Sequence, residues 1–224
     1  KGLMRWAMDE CERLGLTFGT HNCPGWSSSA YPTVEPQYSM LKLVYSEMVL
    51  PTGKLPKKIS LKKPEVDSTW NYYEDVAVIA IPNDSIIKKE DVVFLSDCLN
   101  KETDELTLPK DLAEGMAVLR IGQTTIGKTN ASQSPESGKG LECDKLSREA
   151  VLKFWQGYPQ MVIDIAGHHA GKTFTHFEID SYEAGGQTWT GKLPEEFKKQ
   201  RGYDLMPYMP YMIGRCKTIG DKQE

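Results

Sequence analysis

The sequence predicts an α/β fold: a portion of a (β/α)8 barrel interrupted by an all-β insertion. Three observations carry this. An amphipathic helical pattern opens the chain and returns after Ser147, and each time a short apolar strand follows it. Both strands run into loops that gather imidazole, amide, carboxylate or indole groups around glycines, as barrel strands do at their C-terminal ends. Between the two halves, residues 51–139 hold short β-rich runs punctuated by prolines, with no long helical period. The expected organisation is 1–50 and 140–224 as barrel segments and 51–139 as the insertion.

Taken in order, Leu3, Ala7, Cys11 and Leu14 recur at helical spacing and Gly15 supplies a stop, so residues 2–14 are expected to be helical. Leu16 to Thr20 reads as a strand that delivers His21 and Asn22 into a Pro/Gly/Ser loop. A further strand is expected from about Leu41. Inside the insertion, residues 75–81, 91–95, 105–108 and 116–121 are the strand candidates, since a structureless segment of this length is improbable in a compact protein. Ser147 is placed to cap a helix whose apolar stripe runs from Val151 to Ile165, and Pro159 should kink or split it. Residues 173–180 form the second functional strand. A short helix around Pro194 to Gln200 follows, ending at Gly202.

Composition excludes several classes. A formal charge of −4 and the lack of a dense Lys/Arg cluster argue against nucleic acid as a partner. No run approaches the roughly 18 apolar residues of a membrane span. The five cysteines are scattered without a CxxC pair, which favours free thiols over a zinc knuckle or a disulfide framework. The opening residues are no signal peptide, and a chain starting on Lys1 inside an amphipathic pattern reads as a piece of a longer protein. Gly122 to Thr129 has GxxxxGK[ST] spacing, yet it sits among β strands without the helix N-terminus that a phosphate cradle needs. There is no GxSxG elbow, and the adjacent His168 and His169 lack the i, i+4 spacing of a helical zinc pair, so they read as surface loop.

The remaining polar clusters fit carbohydrate chemistry. Glycoside cleavage needs one carboxylic acid to protonate the leaving oxygen and one carboxylate to activate water or attack the anomeric carbon. Glu183 is the first candidate for such a role, with Asp180 beside it as a ligand or a tuner of its pKa. The alternative is that Asp180 caps a turn and Glu183 is merely exposed. Glu178 shares a strand face with Asp180 and His176, either as a paired acid or a catalytic one. His21, Asn22 and Trp26 combine hydrogen bonding with an apolar ring face, as do Gln187 and Trp189, which suits a sugar; structural histidine and core tryptophan are the competing readings. Glu142 and Asp144 are oxygen donors of the kind that hard cations prefer, or members of an ion pair at a helix N-terminus; no EF-hand spacing exists.

Five stretches taken together resemble glycoside hydrolase family 106, the α-L-rhamnosidases of bacterial polysaccharide degraders: LGLTFGTHNCPGWSSS (14–29), MLKLVYSE (40–47), AVLRIGQTTIGKTN (117–130), GLECDKLSREAV (140–151) and the segment 177–210. They run in family order over nearly the whole chain. The resemblance implies a large periplasmic or secreted enzyme with a (β/α)8 catalytic barrel, calcium dependence, inversion at the anomeric carbon and an oligo- or polysaccharide substrate. It places Asp180 and Glu183 on a DSYE motif, His21 and Asn22 on an HN motif, and Glu142 and Asp144 on a GLExDK motif. Ala30-Tyr31-Pro32-Thr33 departs from the usual Gly-Gly-Pro-Trp type of continuation, a difference in the substrate subsite. One member of the acid/base pair is expected downstream of Glu224. A noncatalytic carbohydrate-binding protein, or a glycosidase of another specificity on the same barrel, are the competing functions.

Overall fold

The computed structural model describes residues 1–23, 28–29, 33–129, 138–179 and 185–219. The chain opens with α1 (Gly2–Leu14), β1 (Phe18–His21) and β2 (Leu41–Val49). Short strands follow: β3 (Lys58–Ser60), β4 (Glu74–Ile81), β5 (Ile86–Ile87), β6 (Val93–Phe94), β7 (Leu99–Asn100), β8 (Glu105–Thr107) and β9 (Ala117–Thr125). The last third holds α2 (Arg148–Gln156), α3 (Tyr158–Ala166), β10 (Phe174–Glu178), α4 (Leu193–Arg201), α5 (Met209–Met212) and β11 (Thr218–Ile219). Two compact units result, Lys1–Leu41 with Thr125–Thr190 and Lys42–Thr124 with Gly191–Glu224. Most of β2 and the chain from Gly191 therefore pack with the β-rich segment, whereas composition alone put the seams at 50/51 and 139/140.

In the first unit, α1 ends where Gly15 adopts φ 67° and its N–H, with that of Leu16, closes on the Glu12 and Cys11 carbonyls. The face it buries is centred on Met8, with Met4 beside it, and not on the expected Leu3–Leu14 stripe: Leu3 is 84% exposed. Met8 meets Val162 and Ala166 of α3 and Phe174 of β10, and Phe18, Tyr158 and Phe177 close the cluster. Ser147 caps α2 by accepting from Ala150 N at 3.3 Å. The helical pattern breaks at Gly157, and Pro159 lies in the first turn of α3, where its missing N–H costs nothing.

Strands β1 and β10 pair in parallel, Thr20 opposite Phe177 and His21 opposite Glu178. Such a pair needs a long crossover, here partly helical. A register shift next to Gly19 brings the His176 ring over it; a Cβ on residue 19 would fall 2.1 Å from His176 Nε2. His168 is exposed, as a surface reading expects, but His169 is not. They form a 3₁₀ turn in which His169 is fully buried, its Nε2 2.8 Å from Asp9 Oδ1 of α1.

The second unit is β-rich. One sheet runs β2-β9-β4-β6, a second β3-β8-β7, and β5 pairs in parallel with β11. Leu61, Val78, Ala80, Leu95, Leu106 and Val118 form its core. Strand β9 is buried along its whole length, including Arg120. Its guanidinium forks onto Asp75 (2.7 and 2.9 Å), reaches Asp104 Oδ1 (2.6 Å) and donates to the Leu61 carbonyl (2.8 Å). Helix α4 follows the expected design, with Pro194, Glu195 and Glu196 at its start, Lys198, Lys199 and Arg201 at its end, and Gly202 at φ 80°.

Burial pushes the Asp75 carboxyl up, but hydrogen bonds from Arg120 and Tyr73 outweigh it and hold the group below the ordinary carboxylate range. Its contribution is complete above the unfolded value of about 3.9 and is lost as pH falls through the lower folded value. Protection factors of the β4 and β9 amides, taken against the intrinsic exchange rate at each pH, should therefore fall on acidification below about pH 4, and Asp75→Asn should flatten that dependence. A pH response unchanged by the substitution would remove Asp75 as its origin.

Candidate functional site

The site begins where β1 and β10 end. Their parallel register sets His21 beside Glu178, with His21 Nε2 3.5 Å from Glu178 Oε2 and both side chains partly exposed. Pairing continues one residue further, since Asn22 N donates to the Glu178 carbonyl at 3.0 Å. An imidazole and a carboxylate thus stand side by side just before the two loops. Asp180 and Glu183 on the second loop, and Trp26 on the first, lie outside the described residues.

The segment around Glu142 holds both loops. Glu142 is fully buried and accepts from Ser28 N at 2.8 Å, from the Ser29 hydroxyl at 2.7 Å and from the Lys145 ammonium. Asn22 joins this network by donating to Ser28 Oγ at 2.9 Å. Asp144, also buried, turns to the second loop: it accepts from Gln187 Nε2 at 2.7 Å and Thr190 Oγ1 at 2.7 Å, and locally from Leu146 N at 2.9 Å. Between them, burial pushes the Cys143 thiol up to about 12, which keeps it protonated at neutral pH. No disulfide involves any of the five cysteines.

These bonds decide what Glu142 and Asp144 can do. Glu142 Oε1 takes two donors, one of them an ammonium, and Oε2 takes a third; Asp144 is bonded in the same proportion. A calcium ion needs six to eight oxygen ligands with free lone pairs. As bonded, this pair does not fit calcium, and its geometry is that of a clamp on two loops. Trp189, expected to present an indole face to a sugar, is instead 2% exposed, pinned by its backbone N–H to the Leu41 carbonyl at 3.1 Å. Gln187 spends its two amide protons on Asp144 and on the Trp189 carbonyl. Asn22 is buried, and its Oδ1 and the Nδ1 of His21 have no hydrogen-bond partner among the described residues.

Sequence reasoning found the polar clusters but missed the His21–Glu178 pair and the roles of Ser28, Ser29, Lys145 and Thr190. The signal for the first was present: two short runs, LTFGTH and TFTHFE, end in polar groups at matching positions.

Parallel strands that deliver polar groups at their C-terminal ends are an arrangement common to α/β enzymes of many chemistries. The chain belongs to glycoside hydrolase family 106, whose family model, described as alpha-L-rhamnosidase, matches residues 1–69 and 62–223. A curated relative from Formosa agariphila, named "Putative beta-glucuronidase", is 33% identical over 255 residues, covering 99% of this chain and 21% of that protein. The solved structure of a rhamnosidase from Novosphingobium sp. PP1Y shares the fold with a TM-score of 0.74 at 20% identity, covering 93% of this chain and 36% of that one. The chain thus spans about a fifth of one relative and about a third of the other.

Proposed function

We propose that this chain is part of the catalytic region of an inverting α-L-rhamnosidase that removes terminal rhamnose from a plant or bacterial polysaccharide, in the periplasm or outside the cell. In this reading the first unit is a portion of a (β/α)8 barrel. The observation that carries it is the parallel pairing of β1 with β10, which sets His21 beside Glu178. Strand ends of this kind face the substrate in a barrel. The loops leaving them would then bring His21, Asn22 and Trp26 from one side and Asp180, Glu183 and Gln187 from the other.

Glu183 serves as one carboxylate of the pair, with Asp180 beside it. An inverting pair stands about 6.5–9.5 Å apart so that a water fits between carboxylate and sugar. His21 and Glu178 offer a donor and an acceptor to hydroxyls at the rim. Glu142 and Asp144 act as positioning residues, because each holds the backbone or side chains of a loop instead of the sugar. A second specificity is favoured by one observation, the name of the relative that is 33% identical.

The test is hydrolysis by the full-length protein of p-nitrophenyl α-L-rhamnoside against p-nitrophenyl β-D-glucuronide. Turnover of the rhamnoside with at least 100-fold preference, about 2.7 kcal/mol of discrimination, is expected. Preference for the glucuronide would replace the specificity and keep the enzyme. Rhamnose bound with no glycoside turned over would leave a carbohydrate-binding protein.

A further inference from the structure

We infer that α1 and the 3₁₀ turn Gly167–His169 form a binding site for a first-row divalent cation of the zinc type, with His168, His169 and Glu12 as its donors and Asp9 behind the His169 ring. Nothing in the sugar chemistry uses these residues. Asp9 and Glu12 stand three residues apart on α1 and so share a helix face. Opposite them the two imidazoles lie side by side, ring centroids 4.0 Å apart and tilted by 36°. Donor atoms of Asp9, His168 and His169 all fall within 4.8 Å of one another.

The decisive feature is His169. It is fully buried; Asp9 Oδ1 takes its Nε2 at 2.8 Å, yet its Nδ1 has no hydrogen-bond partner among the described residues. Folded proteins rarely leave a buried ring nitrogen in that state. Glu12 Oε2 lies 3.7 Å from this Nδ1 and 3.8 Å from His168 Nε2, too far for a hydrogen bond to either. Two ligands of a tetrahedral zinc, bonded at about 2.0–2.1 Å, stand about 3.4 Å apart, so both gaps are close to the edge of a coordination shell. A cation seated among them would satisfy the orphaned nitrogen and leave Asp9 on the far side of the ring as the carboxylate that fixes its tautomer.

Mixed imidazole and carboxylate donors select zinc and its neighbours over calcium or magnesium, which take oxygen. One group opposes binding: Arg5 Nη2 approaches His168 Nδ1 at 3.4 Å, while its Nη1 is anchored on the Ile165 carbonyl at 2.7 Å. For His168 to ligate through Nε2, its proton moves to Nδ1 and Nη2 withdraws from an already long contact. The ion would staple the first helix to the turn that leads into β10, steadying one of the two strands beneath the loops.

Zinc titration by calorimetry of the full-length, chelator-stripped protein tests this, with the visible absorption of tetrahedral Co²⁺ as a second readout. His169 is buried and its replacement risks unfolding, so the variants are the exposed His168→Ala and Glu12→Gln, with Asp9→Asn as the orienting partner. The wild type is expected to bind one equivalent more than His168→Ala and to give the cobalt bands that this variant lacks. Glu12→Gln and Asp9→Asn should bind about 10–100-fold more weakly. Equal stoichiometry and affinity in wild type and His168→Ala, or no zinc bound by the wild type, would overturn the site.

Discussion

Glu183→Gln in the full-length protein is expected to lower kcat for an unactivated α-L-rhamnoside by about 10²–10⁴-fold, the usual worth of a positioned proton-transfer group. Glutamine keeps the size and hydrogen-bonding reach of the side chain and removes its charge and its ability to exchange a proton. Binding should therefore change little, and the loss should fall on kcat. The size of the loss also identifies the role. A p-nitrophenolate leaves without much protonation, so if Glu183 is the acid the defect will be small on the aryl glycoside and large on an unactivated rhamnoside. If it is the base that activates water, both substrates will suffer alike. Unchanged kcat on both would sink the assignment of Glu183 and move attention to Asp180, tested in parallel as Asp180→Asn.

The elements of this chain were legible in sequence because their ends are written locally. Gly15 and Gly202 stop helices, Ser147 starts one and Pro159 sits in the first turn of its successor, each by a backbone effect confined to a few residues. Which face a helix buries was not legible in α1, since Leu3 and Ala7 have the same spacing as Met4 and Met8, and only contact with α3 and β10 decides between them. The same limit applies to the site. His169 lies 160 positions from Asp9, so no spacing rule could tell that the imidazole is buried against α1. Trp189 carries the residue type of a sugar platform, but its exposure is set by pairing with Leu41. Glu142 and Asp144 stood out as acids in a turn; whether they bind a cation or a loop depends on Ser29 and Thr190, donors far away in the chain.

That distinction gives the second large effect. Glu142→Ala removes the acceptor shared by Ser28 N, the Ser29 hydroxyl and the Lys145 ammonium in a fully buried setting, and is expected to destabilise the protein by about 3–5 kcal/mol, as loss of one partner of a buried charge pair does. Glu142→Gln keeps a carbonyl oxygen for one donor and loses the charge, so it should fall between alanine and wild type in thermal unfolding. Displacing the first loop by about 1 Å is enough to cost roughly 10²-fold in kcat, which would be felt without any change in the carboxylates themselves. A clamp and a cation ligand differ in one measurable respect. If Glu142 is a clamp, the full-length Glu142→Gln protein will unfold earlier yet retain the calcium content of the wild type. Loss of one equivalent of calcium in that variant, with stability otherwise preserved, would return Glu142 to a metal shell and require its bonds to Ser28, Ser29 and Lys145 to open when the ion binds.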